Sequence, residues 1–148
     1  ALPGASGFDR ESALDMLEVH HLALTLPFPE SCAIGHQFWC MLGAQESYTR
    51  VLVQGEWQGF SCSLETLQAV EPAEIKEKMV KADQRLMEVV AGVDLGAILK
   101  NGKPGYTIMQ RIIEHETLHH GQLINLMFCH HLPIPESWAD EWALAYND

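Results

Sequence analysis

Apolar residues recur along the chain at steps of three and four, the spacing of helices that bury one face. The first predicted helix begins near Asp9, a good N-cap residue type, and carries Ala13, Leu14, Leu17, Leu22 and Leu24 until Pro27 and Pro29 stop it. A second begins near Ser31, places Ile34, Phe38, Met41, Leu42, Tyr48 and Leu52 at helical spacing, and ends before Gly55. Residues 54–70 hold Gly55, Trp57 and Gly59 without a period and read as a connection. Pro72 suits a first helical position and opens a third helix, which runs to about Ala91 with Ile75, Met79, Leu86, Val89 and Val90 facing inward. Gly92 to Gly105 is a loop containing a Gly-Lys-Pro-Gly turn, where only Ala97 to Leu99 could pair briefly as strand. Thr107-x-x-Gln110 has the form of a capping box, and a fourth helix runs from there to about His131, ended by Pro133 and Pro135. Ser137 to Tyr146 predicts a short terminal helix. Four main helices with apolar seams predict an all-α chain, an antiparallel four-helix bundle forming one domain over residues 1–148.

Composition narrows the partners. With 20 Asp+Glu against 9 Lys+Arg, the net charge is -11, and no cluster of cations offers a nucleic acid its phosphate contacts. No apolar run approaches the roughly 18 residues of a membrane span. Residues 1–7 lack the basic and apolar regions of a signal peptide. Cys32, Cys40, Cys62 and Cys129 are scattered without a CxxC pair, as expected for a soluble, cytoplasmic protein in a reducing compartment.

The eight histidines nearly match all Lys and Arg in number, and their positions carry the chemistry. On the fourth helix, steps of four and three give the seam Ile108, Ile112, His115, His119, Gln122, Leu126 and Cys129. Its ends are apolar, but its centre holds two histidines and a glutamine. Histidines at i and i+4 project from one face, close enough for both rings to reach one divalent ion. A single histidine on such a face is usually a core residue hydrogen-bonded to a carbonyl or water. Two, one turn apart, are costly to bury unless something holds them, which favours a metal. By the same wheel His120, His130 and His131 point elsewhere, as surface or helix-end residues. A third ligand has to come from a facing helix, where His36 and Cys40 are themselves i and i+4.

His115-Glu-x-x-His119 also spells the HExxH helix of zinc hydrolases. The longer metzincin form fails, because Gln122 and Asn125 stand where Gly and His are required. Glu136 or Glu141 could supply a distant carboxylate ligand. Nothing reads as the sheet edge that aligns a peptide substrate in those enzymes.

Three stretches, Trp39-Cys-Met-Leu-Gly-Ala-Gln-Glu-Ser-Tyr48, Glu114-His-Glu-Thr-Leu-His-His-Gly-Gln-Leu123 and Leu132-Pro-Ile-Pro-Glu-Ser-Trp138, resemble the DinB/YfiT-like superfamily of metalloenzymes. His-x-x-x-His-x-Gly-Gln is the most specific of these patterns. The resemblance covers most of the chain. It implies a four-helix bundle with one divalent metal, zinc, nickel or similar, on three histidines, assembled as a homodimer. It further implies a small-molecule substrate and relatives that act as S-transferases or isomerases dependent on a low-molecular-weight thiol. His115 and His119 fall on the family's ligand pair. The third ligand position, a histidine in the family, is Cys40 here. Three outcomes follow: Cys40 ligates as thiolate, His36 substitutes from one turn away, or the site is degenerate. Glu116 could act as a base, although it lies one step off the seam, where a solvated helix charge is the ordinary reading. Gln122, Tyr48 and Trp39, with Trp57, are candidates to wall the pocket. A metal-dependent enzyme and a non-catalytic bundle acting in binding or stress response are thus the two readings.

Overall fold

The computed structural model describes residues 9–65 and 70–144, and among them every regular element is helical. The elements are α1 (Glu11–Asp15), a 3-10 helix (Val19–Ala23), α2 (Ile34–Gln54), α3 (Pro72–Gly92), α4 (Tyr106–Cys129) and α5 (Glu136–Glu141). A bridge pairs Ile98, in the stretch expected to pair briefly, with Pro104 outside it. Tyr146, expected in the terminal helix, lies outside the described residues. No described helix is long and apolar enough to cross a membrane.

The predicted first helix is broken. Asp9 does receive the Ser12 backbone N–H at 3.2 Å, but the helix stops after Asp15. The chain then restarts at Glu18, whose carboxylate accepts the His21 backbone N–H while its own N–H donates to His21 Nδ1 at 3.0 Å. That local box redirects the chain so that Leu22 meets Gly35 of α2, where a Cβ would lie 3.1 Å from the Leu22 Cβ. The second helix begins at Ile34 rather than Ser31, because the Ser31 hydroxyl is occupied in a turn, accepting the Leu26 N–H at 2.8 Å. It ends as expected, with Gly55 in the left-handed conformation at φ 82° and its N–H on Val51 O. The Thr107 capping box does not form. Thr107 lies inside α4, and its hydroxyl donates back to Pro104 O at 2.7 Å.

Helix directions depart from the all-antiparallel expectation. One apolar cluster joins Ile34, Phe38, Met41 and Leu42 of α2 to Ile75, Met79 and Ala82 of α3 and to Leu123, Leu126 and Met127 of α4. The other joins Val51 and Leu52 to Leu86 and Val89 and to Ile108 and Ile112. Early meets early between α2 and α3, so these helices run parallel, and α4 runs antiparallel to both. The physical reason is chain length. A 21-residue helix spans about 30 Å, and the connection of residues 55–71 is long enough to return along it before α3 starts.

Between the two apolar clusters lies a polar layer centred on Arg10, which is fully buried. Its guanidinium donates to Gln45 Oε1 at 2.7 Å, forms a short ion pair with Asp83, and places Nε 3.4 Å from Glu116 Oε1. Gln45 Nε2 donates to the same Asp83 carboxylate at 2.8 Å. Burial opposes the charge on Arg10, but Glu116 and Asp83 outweigh it and hold its pKa above the ordinary value. His120 Nε2–H donates to the same Oε1 of Glu116 at 3.2 Å, and its ring stacks on Trp138 with centroids 4.3 Å apart. Trp138 Nε1 donates to the Asp9 carbonyl, which ties α5 and the chain's early segment to α4.

Candidate metal site

Between α2 and α4, three donor atoms converge: Cys40 Sγ, His115 Nε2 and His119 Nε2. Antiparallel packing sets this register, with Cys40 level with His115 and Gln37, one turn earlier, level with His119. The two Nε2 atoms are 3.2 Å apart, and Sγ lies 3.6 Å from His115 Nε2. Zinc bonds of about 2.0–2.1 Å to nitrogen and 2.3 Å to sulfur at a tetrahedral angle give edges of about 3.3 Å for N···N and 3.6 Å for S···N. These two edges match and all three donors lie within 4.8 Å of one another, so this donor set could hold a zinc-like ion.

Hydrogen bonding prepares His119 for that role. Its Nδ1–H donates to Gln37 Oε1 at 2.5 Å, and Gln37 is itself buried. An amide oxygen only accepts, so the proton is fixed on Nδ1 and the Nε2 lone pair faces the other two donors. Burial, with the charge of His115 adding to it, pushes the His119 pKa down to about 4. Burial lowers that of His115 as well. Both rings are therefore neutral at pH 7, the state in which imidazole ligates. Burial also raises the Cys40 thiol, whose proton has to leave if sulfur is to bind.

The remaining expected site residues divide. His36 is not part of the converging set. It lines a cavity of about 290 Å³ together with His119, Gln37, Gln122 and Cys32, and its ring lies 5.4 Å from Trp39. Gln122 and Cys129 are exposed, which corrects the predicted seam. Because α4 is covered by α2 on one side and by the Arg10 layer and α5 on the other, its buried arc is wider and rotated, and includes Glu116 and His120. His120 is accordingly no surface residue, being 4% exposed. Glu116, at 3% exposed, is no solvated helix charge, since Arg10 and His120 engage its carboxylate. His130 and His131 do lie at the helix end, His130 donating to Thr25 O at 2.6 Å. Trp39 packs against Phe60 and donates to Leu64 O at 3.0 Å. Tyr48 belongs to a different cavity, against Trp57.

Two features escaped the sequence reading. Gln37 as the partner of His119 has only its i−3 spacing from Cys40 as a signal. A second donor grouping, the exposed Glu18 and His20 with the half-buried His21, lies at the start of the 3-10 helix, where Glu18 and His21 already cap one another. The chain matches no family model, no curated protein and no solved structure. What fold and site define is a class: an all-helical protein with a Cys-His-His grouping that could hold a metal ion.

Proposed function

We propose that the protein is a divalent-metal-dependent enzyme of the DinB/YfiT-like kind, a bundle whose metal is held by Cys40, His115 and His119. The observation that carries this reading is the convergence of three donor atoms within 4.8 Å, two of their three edges at tetrahedral lengths, with Gln37 fixing the ligating tautomer of His119. Three protein ligands leave a fourth position for water or a substrate sulfur. A zinc-like ion would supply Lewis acidity there, favouring the deprotonated form of whatever thiol or water it binds. Cys40 gives up its proton to bind, Gln37 orients His119, and the 290 Å³ cavity beside His119 is of a size for a small substrate. The sequence resemblance favours transfer or isomerisation dependent on a low-molecular-weight thiol, in a homodimer, and four free cysteines suit a reducing compartment. Glu116 enters as a positioning group, since Arg10 and His120 already engage its Oε1.

Metal content of protein purified without an affinity tag, with zinc and nickel affinities from chelator competition, tests the reading. The expected result is one ion per chain on the wild type. His119→Ala and Cys40→Ala should each weaken binding at least ten-fold, and His36→Ala should leave it intact, with circular dichroism checking the fold. Loss of metal in His36→Ala but not in Cys40→Ala would move the third ligand to His36. Binding indifferent to His119→Ala would remove the metal reading and leave the non-catalytic bundle in its place.

A further inference from the structure

Away from the Cys-His-His grouping, a cavity of about 450 Å³ lies between the end of α2, the turn after it, the 99–103 turn and the first turns of α4. It falls in the size range of small-molecule sites. Its floor is apolar, formed by the buried Val51 and Ile108. One wall is aromatic: Tyr48 and Trp57 lie with ring centroids 5.3 Å apart, and Trp57 leaves 51% of its surface exposed. Its rim is cationic, with Lys100, Lys103 and Arg111.

The rim gathers cations in an otherwise acidic chain, as does the α2–α3 groove lined by Arg50, Lys78, Lys81 and Arg85. The whole chain has 9 Lys+Arg and a net charge of -11, yet three of the nine border this cavity against a single carboxylate, Glu56. Lys100 Nζ is paired with Glu56 at 2.7 Å, and Arg111 reaches Glu114 at 3.5 Å. The Lys103 ammonium has no ion-pair or hydrogen-bond partner among the described residues. An anion meets favourable potential at such a rim, and here the cations lie beside an exposed indole.

The walls are also held in place. The Lys100 N–H donates to Gly55 O at 2.9 Å and the Leu99 N–H to Lys103 O at 2.8 Å, so the cationic turn is fastened to the end of α2. Gly55 and Gly102, at φ 82° and 80°, permit the two bends that make this possible. A half-exposed indole beside an apolar floor offers a stacking face, which every flat ring can use. Guanidinium and ammonium groups beside it suit a carboxylate or phosphate.

We propose that this cavity binds a small aromatic molecule bearing one anionic group, either a nucleoside monophosphate or an aromatic carboxylic acid. The ring stacks on Trp57 and the anion meets Lys103 and Arg111. This assignment stands independently of the metal reading.

Isothermal titration in the presence of a chelator, with adenosine 5′-monophosphate, adenosine, naphthalene-1-carboxylate, naphthalene-1-methanol and inorganic phosphate as probes, tests it. One or both aromatic anions should bind at one site per chain, at least ten-fold more tightly than their uncharged counterparts and than phosphate. Which of them binds distinguishes the two sources. Trp57→Ala and the charge reversal Arg111→Glu should each weaken that binding about ten-fold, and Lys103→Glu should weaken it measurably. All three positions are exposed, and unchanged circular dichroism verifies their folds. Cys40→Ala should bind as the wild type does. Absence of binding by either aromatic anion overturns the proposal. So does equal binding of the uncharged probe, binding indifferent to Trp57→Ala and Arg111→Glu, or loss of binding in Cys40→Ala. Phosphate binding as tightly as the aromatic anions also overturns it, and would direct attention to the α2–α3 groove lined by Arg50, Lys78, Lys81 and Arg85.

Discussion

Replacing Glu116 by alanine takes from the fully buried Arg10 one of the carboxylates that face it, while Asp83 stays in place. At 3.4 Å and an effective dielectric of about 20, the Coulomb attraction removed is about 5 kcal/mol. Asp83 remains as a counter-charge, so the net loss should fall toward the lower part of the roughly 3–5 kcal/mol typical of breaking a buried pair. His120 loses its acceptor as well, which acts in the same direction. A loss of about 3 kcal/mol is a large share of the roughly 5–15 kcal/mol available to a domain, and should lower Tm by roughly 10 °C. Urea unfolding followed by far-ultraviolet circular dichroism gives the value, provided the m-value is unchanged. Glu116→Gln, which keeps the shape and an acceptor for His120, should lie between wild type and alanine. The double variant Arg10→Met/Glu116→Leu should be more stable than the sum of its single changes implies, because the Arg10–Glu116 attraction is lost only once, although Asp83 loses its partner in both Arg10 variants. A loss below about 1 kcal/mol, or strict additivity, would show that the ion pair is not buried as described.

Trp138→Ala should cost about 3–5 kcal/mol, because a fully packed indole that anchors α5 to His120 and to the Asp9 carbonyl is deleted; thermal unfolding reads it. Cys62, its thiol pushed by burial up to about 11 from 9.0, should alkylate far more slowly at pH 8 than the exposed Cys32 and Cys129. Two pKa units mean about a hundred-fold less thiolate than an ordinary cysteine, and peptide mass spectrometry after timed iodoacetamide treatment gives the order; Cys62 reacting first would refute it. Gly55→Ala should cost about 1 kcal/mol by forcing a side chain into the left-handed conformation at the end of α2. Gly43→Ala should push the Phe60 ring off α2, since its Cβ would sit 2.8 Å from Phe60 Cε2 and closer still to Cζ, and the shift should register in Trp39 fluorescence.

The end of α2 and the course of α3 were legible because their signals are local. Pro72 at the start of α3, Gly55 after α2 and the apolar spacing of α3 each act within a turn or two of their own position. What was not legible depended on groups far apart in the chain. Nothing near Met16 announces that the first helix breaks. The break follows from where Leu22 must go to reach Gly35. Nothing in α2 or α3 alone gives their parallel direction, which is set by the reach of the connection between them. Thr107 illustrates a local signal losing to a neighbour: α4 starts one residue before it, and its hydroxyl donates to the Pro104 carbonyl instead.

The site was legible to the extent that helical spacing decides it. His115 and His119 share a face because any helix puts i and i+4 together, and Cys40 meets them through the antiparallel register of α2 and α4. The burial of Glu116 and His120 was not, because a strict seam of alternating fours and threes assigns a helix one narrow buried stripe. α4 is covered on two sides, and its second buried edge is polar only because Arg10, more than a hundred residues earlier, supplies the charge that makes a buried carboxylate tolerable. The two faces therefore use neighbouring residues for opposite ends. On one, burial strips His115 and His119 of protons and leaves lone pairs for a cation. On the other, Glu116 keeps a cation permanently, the guanidinium of Arg10. A carboxylate so satisfied holds α4 in place without competing for an ion at its histidines, so Glu116→Ala should shift unfolding far more than it shifts zinc affinity.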